Sequence, residues 1–346
     1  MATKVNVVMG GPSAEYEVSL RSGEQVLSYL DKSKYDLRAV VITKNKQFYY
    51  ADIAADAPVP DIQHFADANG AFIGPFHPSN SKEIWDNCDA AFLALHGEFG
   101  EDGTIQGYLD ALGIPYTGSG VYASAVAMNK ITSKFLYAQS GMPVPDYSVY
   151  GVNHPDVTVD GIIKKHGFPC FLKCPQSGSS RLMGRAADKA SLESLLKELQ
   201  EDADDILVET SISGPEFSCG VIDMPNGETK ALPPIEIRPN NAEFFDYTAK
   251  YTHGATLELV PAPRPEPLLR QIEETALRAH KALGCYGVSR TDMIYCDSKL
   301  YVLETNTLPG MTSASLLPQA FKAQGGTYAG LLDILISSAL KRAGVA

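Results

Sequence analysis

The chain has 346 residues, 45% of them hydrophobic and 20% charged, with a formal net charge of -12. That is the balance of a globular protein too long for one ordinary core, so two or three domains are expected. The acidic balance excludes an extended nucleic-acid surface, which needs clustered Lys and Arg, so any phosphate contacts must be local. No apolar run reaches membrane-spanning length, and MATKVNVVMGG enters a strand with no signal-peptide pattern, so a cytoplasmic location is expected. Six cysteines, at 88, 170, 174, 219, 285 and 296, show no zinc spacing and read as reduced thiols.

Val5 to Met9 reads as a strand, Gly10 to Ser13 as a turn, and the run to Leu30 as an amphipathic helix. This is how an α/β domain starts, and ligands gather at the carboxyl ends of its strands. The dinucleotide signature G-x-G-x-x-G is absent. Glu15 stands in the turn region, where it favours the positive end of the helix or holds an ammonium group. A strand at Leu37 to Ile42 leads through Lys44 to Lys46 into Phe48, Tyr49 and Tyr50; residues 51 to 81 carry no periodicity. The strand Asp89 to Leu95 delivers His96 into HGEFGEDGTIQG, where glycines allow close approach and Glu101 is placed to orient the histidine.

A helical run from Gly120 to Gly141 sets Lys130 and Lys134 on one face, by default as solvated lysines. Pro143 and Pro145 end it. Phe168 to Leu172 is a strand presenting Lys173, followed by a small-residue loop, Gln176 to Gly184, that suits a phosphate flap without being a P-loop. A helix over Ala190 to Leu199 and strands at Ile206 to Glu209, Phe217 to Val221 and Pro234 to Ile237 follow. The long loop FFDYTAKYTHG carries Lys250 and Tyr251. Helices are expected over Pro265 to Leu283 and Tyr328 to Lys341.

The stretch VSRTDMIYCDSKLYVLETNTLPGMTSASL, from Val288 to Leu316, reads as a hairpin turning at Cys296 to Lys299. Alternation puts Arg290 and Asp292 on one face and Glu304 and Asn306 on one face of the partner strand, with Asp292 opposite Glu304 within a residue. Opposed carboxylates repel unless a cation lies between them. An all-oxygen set of this kind favours Mg2+ or Mn2+ over zinc.

Together, GGPSAEYEVSLRSG, HGEFGEDGTIQG, PYTGSGVYASAVAMNK, GSS at 178 to 180, ETSISGPEF, FFDYTAKY, SRTD and LETNTLPGMTSASL resemble the D-alanine:D-alanine ligases of the ATP-grasp superfamily, in family order over nearly the whole chain. The resemblance implies an α/β (α+β) ATP-grasp fold in three domains: a Rossmann-like N-terminal unit (1 to 122), a central unit (123 to 208) and a C-terminal unit (209 to 346) carrying the metal site. It implies ATP-dependent joining of two D-alanines through an acyl phosphate, for peptidoglycan precursors, with two Mg2+ or Mn2+ ions and a homodimeric state. Lys130, Lys173 and Lys250 would meet ATP phosphates, Glu209, Ile212 and Phe244 the adenine, and Glu216 the ribose. Asp292, Glu304 and Asn306 match the metal ligands.

Glu15, in a network with Ser179 and Tyr251, would hold the first D-alanine's ammonium, with His96 and Glu101 beside it. Arg290 and the Gly310 N-H would stabilise the oxyanion, and Ser315 and Leu316 would receive the second carboxylate. The chain departs from the family pattern at Lys173-Cys174-Pro175 and at Arg181-Leu182. A second substrate other than D-alanine (D-serine or D-lactate), a ligase for another metabolite, and a nucleotide-binding module without catalysis are the competing expectations.

Overall fold

The computed structural model describes residues 2–65, 71–177, 182–239 and 256–345, which build three sheets. The first holds β1 (Thr3–Gly10), β2 (Tyr35–Ile42), β3 (Phe48–Ile53), β4 (Ile73–Phe76) and β5 (Ala90–Leu93) in the order β4-β3-β2-β1-β5. Val5, Val7, Val8 and Met9 are fully buried, so β1 has no wet face; it runs parallel to β2 and β5, as strands covered on both sides do. The turn after β1 needs glycine: Gly10 has φ +89°, and a Cβ there would stand 2.2 Å from Ile42 O. Helix α1 (Tyr16–Tyr29) follows, then α2 (Lys82–Trp85) and α3 (Thr104–Leu112).

The expected single helix over 120 to 141 is two, α4 (Val121–Met128) and α5 (Lys130–Gln139). Asn129 between them is extended, and its side chain accepts from the Ile131 and Thr132 N-H groups, so an asparagine cap outcompetes helix continuation.

The second sheet, β6-β9-β7-β8, comprises β6 (Tyr147–Gly151), β7 (Cys170–Lys173), β8 (Met183–Ala186) and β9 (Asp205–Thr210). It is backed by α6 (Val159–His166) and α7 (Lys189–Leu199), and its apolar core is separate from the others. The third sheet runs β13-β12-β10-β14-β15, with β11 beside β10. Its strands are β10 (Glu216–Asp223), β11 (Thr229–Ala231), β12 (Ile235–Pro239), β13 (Thr256–Leu259), β14 (Val288–Cys296) and β15 (Lys299–Asn306).

Helices α8 (Glu266–Ala282), α9 (Leu316–Ala323) and α10 (Tyr328–Arg342) complete the chain. One apolar core joins β1 and α1 of the first unit to β12, α9 and α10 of the third. The expected division at 208/209 falls inside β9, and Ala123, Ala127 and Tyr137 of α4 and α5 pack into the core of the third sheet, not the second.

Candidate active site

The β14-β15 hairpin turns at Asp297 and Ser298, whose φ values of 48° and 62° give the left-handed pair that matches strand twist. The register pairs Asp292 with Glu304 and Arg290 with Asn306, which places the four side chains on one face. The cations beside the two carboxylates belong to the chain. Arg290 donates from Nε to Asp292 Oδ1 (3.0 Å) and from a terminal nitrogen to Oδ2 (2.9 Å), the forked geometry that arginine favours. Ser218 Oγ adds a 2.6 Å bond to Oδ1. Glu304 lies 3.4 Å from Lys130 Nζ, and Asn306 Oδ1 accepts from the Leu308 N-H. No cluster of three or more His, Cys, Asp or Glu suited to a metal occurs among the described residues. The donor set Asp292, Glu304 and Asn306 is nevertheless all oxygen and on one face, which fits a hard divalent ion.

Beside Glu304 lies a second buried charge cluster. Glu209 projects from β9 with Lys173, the last residue of β7, at 2.7 Å from its Oε2, and with Lys134 of α5 paired to its Oε1. Burial opposes the charge on Glu209, but Lys134 and Lys173 outweigh it and bring the carboxyl down to about 2. Lys134, expected in solvent, is 1% exposed, and burial lowers its pKa in spite of Glu209. Its Nζ makes the ion pair without an aligned hydrogen bond, so it keeps unused donors among the described residues. One carboxylate between two lysines leaves this cluster net positive, a setting that suits an anion. Lys130 Nζ donates to Ser177 O at 2.8 Å, tying α5 to the end of the strand-loop that begins at Lys173. Ile212 lies in the turn after β9, and Glu216 starts β10.

His96 follows β5 and is buried. Its Nδ1 lies 3.2 Å from Leu308 O, which can only accept, so Nδ1 carries the proton and Nε2 accepts from Ser22 Oγ at 2.9 Å. Burial lowers the His96 pKa, and the ring is neutral. Glu101 was expected to orient this ring, but its Oε1 is 3.9 Å from Nδ1 and accepts instead from the Gly97 N-H; the orienting groups are Leu308 and Ser22. Burial, then the neighbouring Glu15, push the Glu101 carboxyl up to about 8. Glu15 packs close to Gly97, where a Cβ would meet its Oε2 at 2.9 Å and Ser13 Oγ at 2.6 Å.

These walls enclose a cleft of about 590 Å³. Glu15, His96 and Glu101 line one part of it, and Lys130, Arg290, Glu304 and Asn306 another. Gly310, Ser315 and Leu316 close the far end. A Cβ at Gly310 would stand 2.7 Å from Ser315 Oγ, and that hydroxyl accepts from the Thr312 N-H at 3.1 Å. Ser315 caps α9, so unpaired N-H groups of the helix start face this end. Arg21, Gln25 and Glu258 also line the cleft and were not foreseen. Arg21 and Gln25 could have been read from α1, since with Val18 they stand at i, i+3 and i+7 on one side of the helix; Glu258 sits in a four-residue strand with no motif around it. Ser179, Arg181, Phe244, Lys250 and Tyr251 lie outside the described residues.

The chain matches the family model described as D-ala D-ala ligase N-terminus over residues 4–119 and that described as D-ala D-ala ligase C-terminus over 136–337. It is 39% identical to a D-alanine-D-alanine ligase of Leptospira biflexa over 96% of this chain and 99% of the relative. It is 40% identical to one of Syntrophobacter fumaroxidans over 97% of each. Among solved structures it is similar to the VanG D-Ala:D-Ser ligase of Enterococcus faecalis (TM-score 0.84, 29% identity, 98% of this chain and 100% of that one). It is also similar to the Bacillus anthracis D-alanine-D-alanine ligase complexed with ATP (TM-score 0.78, 35% identity, 99% of each).

Proposed function

Because the chain belongs to the D-alanine-D-alanine ligase family and has its ATP-grasp fold, we propose that it uses ATP to join two D-alanine molecules into D-alanyl-D-alanine for peptidoglycan precursors. The observation that carries the reading is the shared hairpin face of Arg290, Asp292, Glu304 and Asn306, of which Arg290, Glu304 and Asn306 line the cleft together with Lys130, Glu15 and His96. No helix among the described residues is long and apolar enough to cross a membrane. We place the enzyme in the cytoplasm, as a homodimer.

A carboxylate is a poor electrophile, and transfer of a phosphoryl group from ATP gives it a leaving group before the amine arrives. Lys130 and Lys173 hold the phosphates, helped by the net positive cluster around Glu209. Glu209 and Ile212, with Phe244, flank the adenine, Glu216 binds the ribose, and Lys250 reaches the transferred group. Asp292, Glu304 and Asn306 would hold Mg2+ or Mn2+, which would supply charge neutralisation for the transfer. Glu15, with Ser179 and Tyr251, receives the ammonium of the first D-alanine, and the neutral His96 beside it adds no repelling charge. The amine of the second D-alanine attacks the acyl phosphate, Arg290 and the Gly310 N-H bind the oxyanion that forms, and phosphate departs. Preorganised donors serve that step best, and the forked contact that fixes Arg290 on Asp292 provides the preorganisation.

Phosphate release from ATP and Mg2+ with D-alanine, with D-alanine plus D-serine, with D-alanine plus D-lactate and with L-alanine, followed by mass analysis of the products, tests the reading. D-Alanyl-D-alanine as the main product is the expected result. No phosphate release with any of these overturns the proposal, and an Asp292→Asn variant with full activity removes the metal assignment.

A further inference from the structure

One carboxylate of the cleft has no role in the reaction as described so far. Glu258, on β13, is half-buried and lines the cleft at the end formed by Ala314, Ser315 and Leu316. Its Oε2 accepts from Gln319 Nε2 at 2.6 Å, and the same nitrogen donates to Ala314 O at 2.7 Å. Gln319 therefore fixes Glu258 against the turn whose end would receive the second substrate. A matching bond lies on the far side of that turn, where Gln25 Oε1 accepts from the Ser313 N-H at 2.8 Å.

The other carboxylates of the cleft are committed. Glu304 faces Lys130, Glu101 keeps its proton at neutral pH, and Glu15 lies beside Ser13 and Gly97 at the end served by the first sheet. An α-amino acid enters as a zwitterion, and burying its ammonium without an anionic partner is strongly unfavourable. Two amino acids need two such partners.

Building on the ligase reading, in which Glu15 serves the first amino acid, we infer that Glu258 receives the ammonium of the second, whose carboxylate lies at Ser315 and the start of α9, and takes a proton from it so that the free amine can attack the acyl phosphate carbon. Burial raises the Glu258 carboxyl, against the opposing pull of Gln319 and Arg290, so an incoming cation relieves a desolvation cost already present. The acceptor class that follows is an amine-bearing D-amino acid. A 2-hydroxy acid brings no cation to Glu258.

Initial rates against D-alanine at saturating ATP resolve one constant for each amino acid. Glu258→Gln should raise the constant for the second D-alanine about tenfold, the loss of one charge-assisted hydrogen bond. The constant for the first D-alanine and the KM for ATP should stay within about twofold, because neither ligand meets this side chain. The preference for D-alanine over D-lactate as acceptor should fall, and Glu258→Asp should recover part of it. An unchanged second constant, or an equal rise in all three, overturns the inference. A wild-type protein that releases no phosphate defeats the ligase reading instead, and calorimetric titration then decides the role of Glu258. Two D-alanine sites in the wild type and one in Glu258→Gln support that role; the same sites in both overturn it.

Discussion

Replacing Glu209 by glutamine removes the anion that holds two buried lysines together. Its carboxyl lies at about 2 against an ordinary 4.5, and at about 1.36 kcal/mol per pH unit that gap is worth ~3 kcal/mol of folding stability. The sign follows from the lowered value: the contribution is fully present above about pH 4.5 and is lost as pH falls toward about 2, where the wild-type carboxyl also becomes neutral. The variant leaves Lys134 and Lys173 facing an uncharged amide, as protonation of the wild-type carboxyl does, so the loss near pH 7 should be of this same order, ~3 kcal/mol. Urea unfolding followed by circular dichroism, run from about pH 3.5 to 7 on both proteins, should show a stability difference that is level above about pH 5 and shrinks below it. A difference that stays constant across that range, or that is under about 1 kcal/mol throughout, would refute the charge balance assigned to this cluster.

Two other changes test the surroundings. The raised Glu101 carboxyl means that the unfolded chain releases this proton near pH 4.5 and the folded one near 8, so wild-type stability declines between them; Glu101→Gln should gain more than about 1 kcal/mol over the wild type above pH 8 and nothing below pH 4, read by thermal melts. Arg342, stacked on Tyr116 (4.6 Å) and Tyr286 (4.8 Å) and donating to the Gly118 and Tyr116 carbonyls, ties α10 to the first unit. Arg342→Ala should cost about 2 kcal/mol in urea unfolding with no change in the KM for ATP.

What the sequence revealed divides by the range of the interaction. The hairpin was readable because alternation and turn chemistry are local, and Asp292 does face Glu304. That same alternation put Arg290 beside Asp292, and an arginine two residues away supplies a counter-charge, so the opposed carboxylates do not by themselves call for a metal. Lys130 and Lys134 share a helix face as their spacing says, but Lys134 is buried against β9, whose Glu209 arrives from 75 residues further on. The orienting partners of His96, the Leu308 carbonyl and the Ser22 hydroxyl, lie 212 and 74 residues away in sequence, where no local pattern points to them. The break at Asn129 had a visible signal, an asparagine directly before a lysine-led helix, which a continuous helical pattern masked.

The apolar core shared by β1, α1 and α10 has a consequence for synthesis. Tyr29 packs edge-on to Tyr328, and Lys34 and Tyr35 both bond to Asp333, so part of the first unit's surface is completed by the last helix. The second sheet, complete at Thr210 with a core of its own, has every partner it needs much sooner. On the ribosome β1 can pair with β2 and β5 early, but the apolar face that β1 and α1 share with α10 is covered only once the last helix has been made.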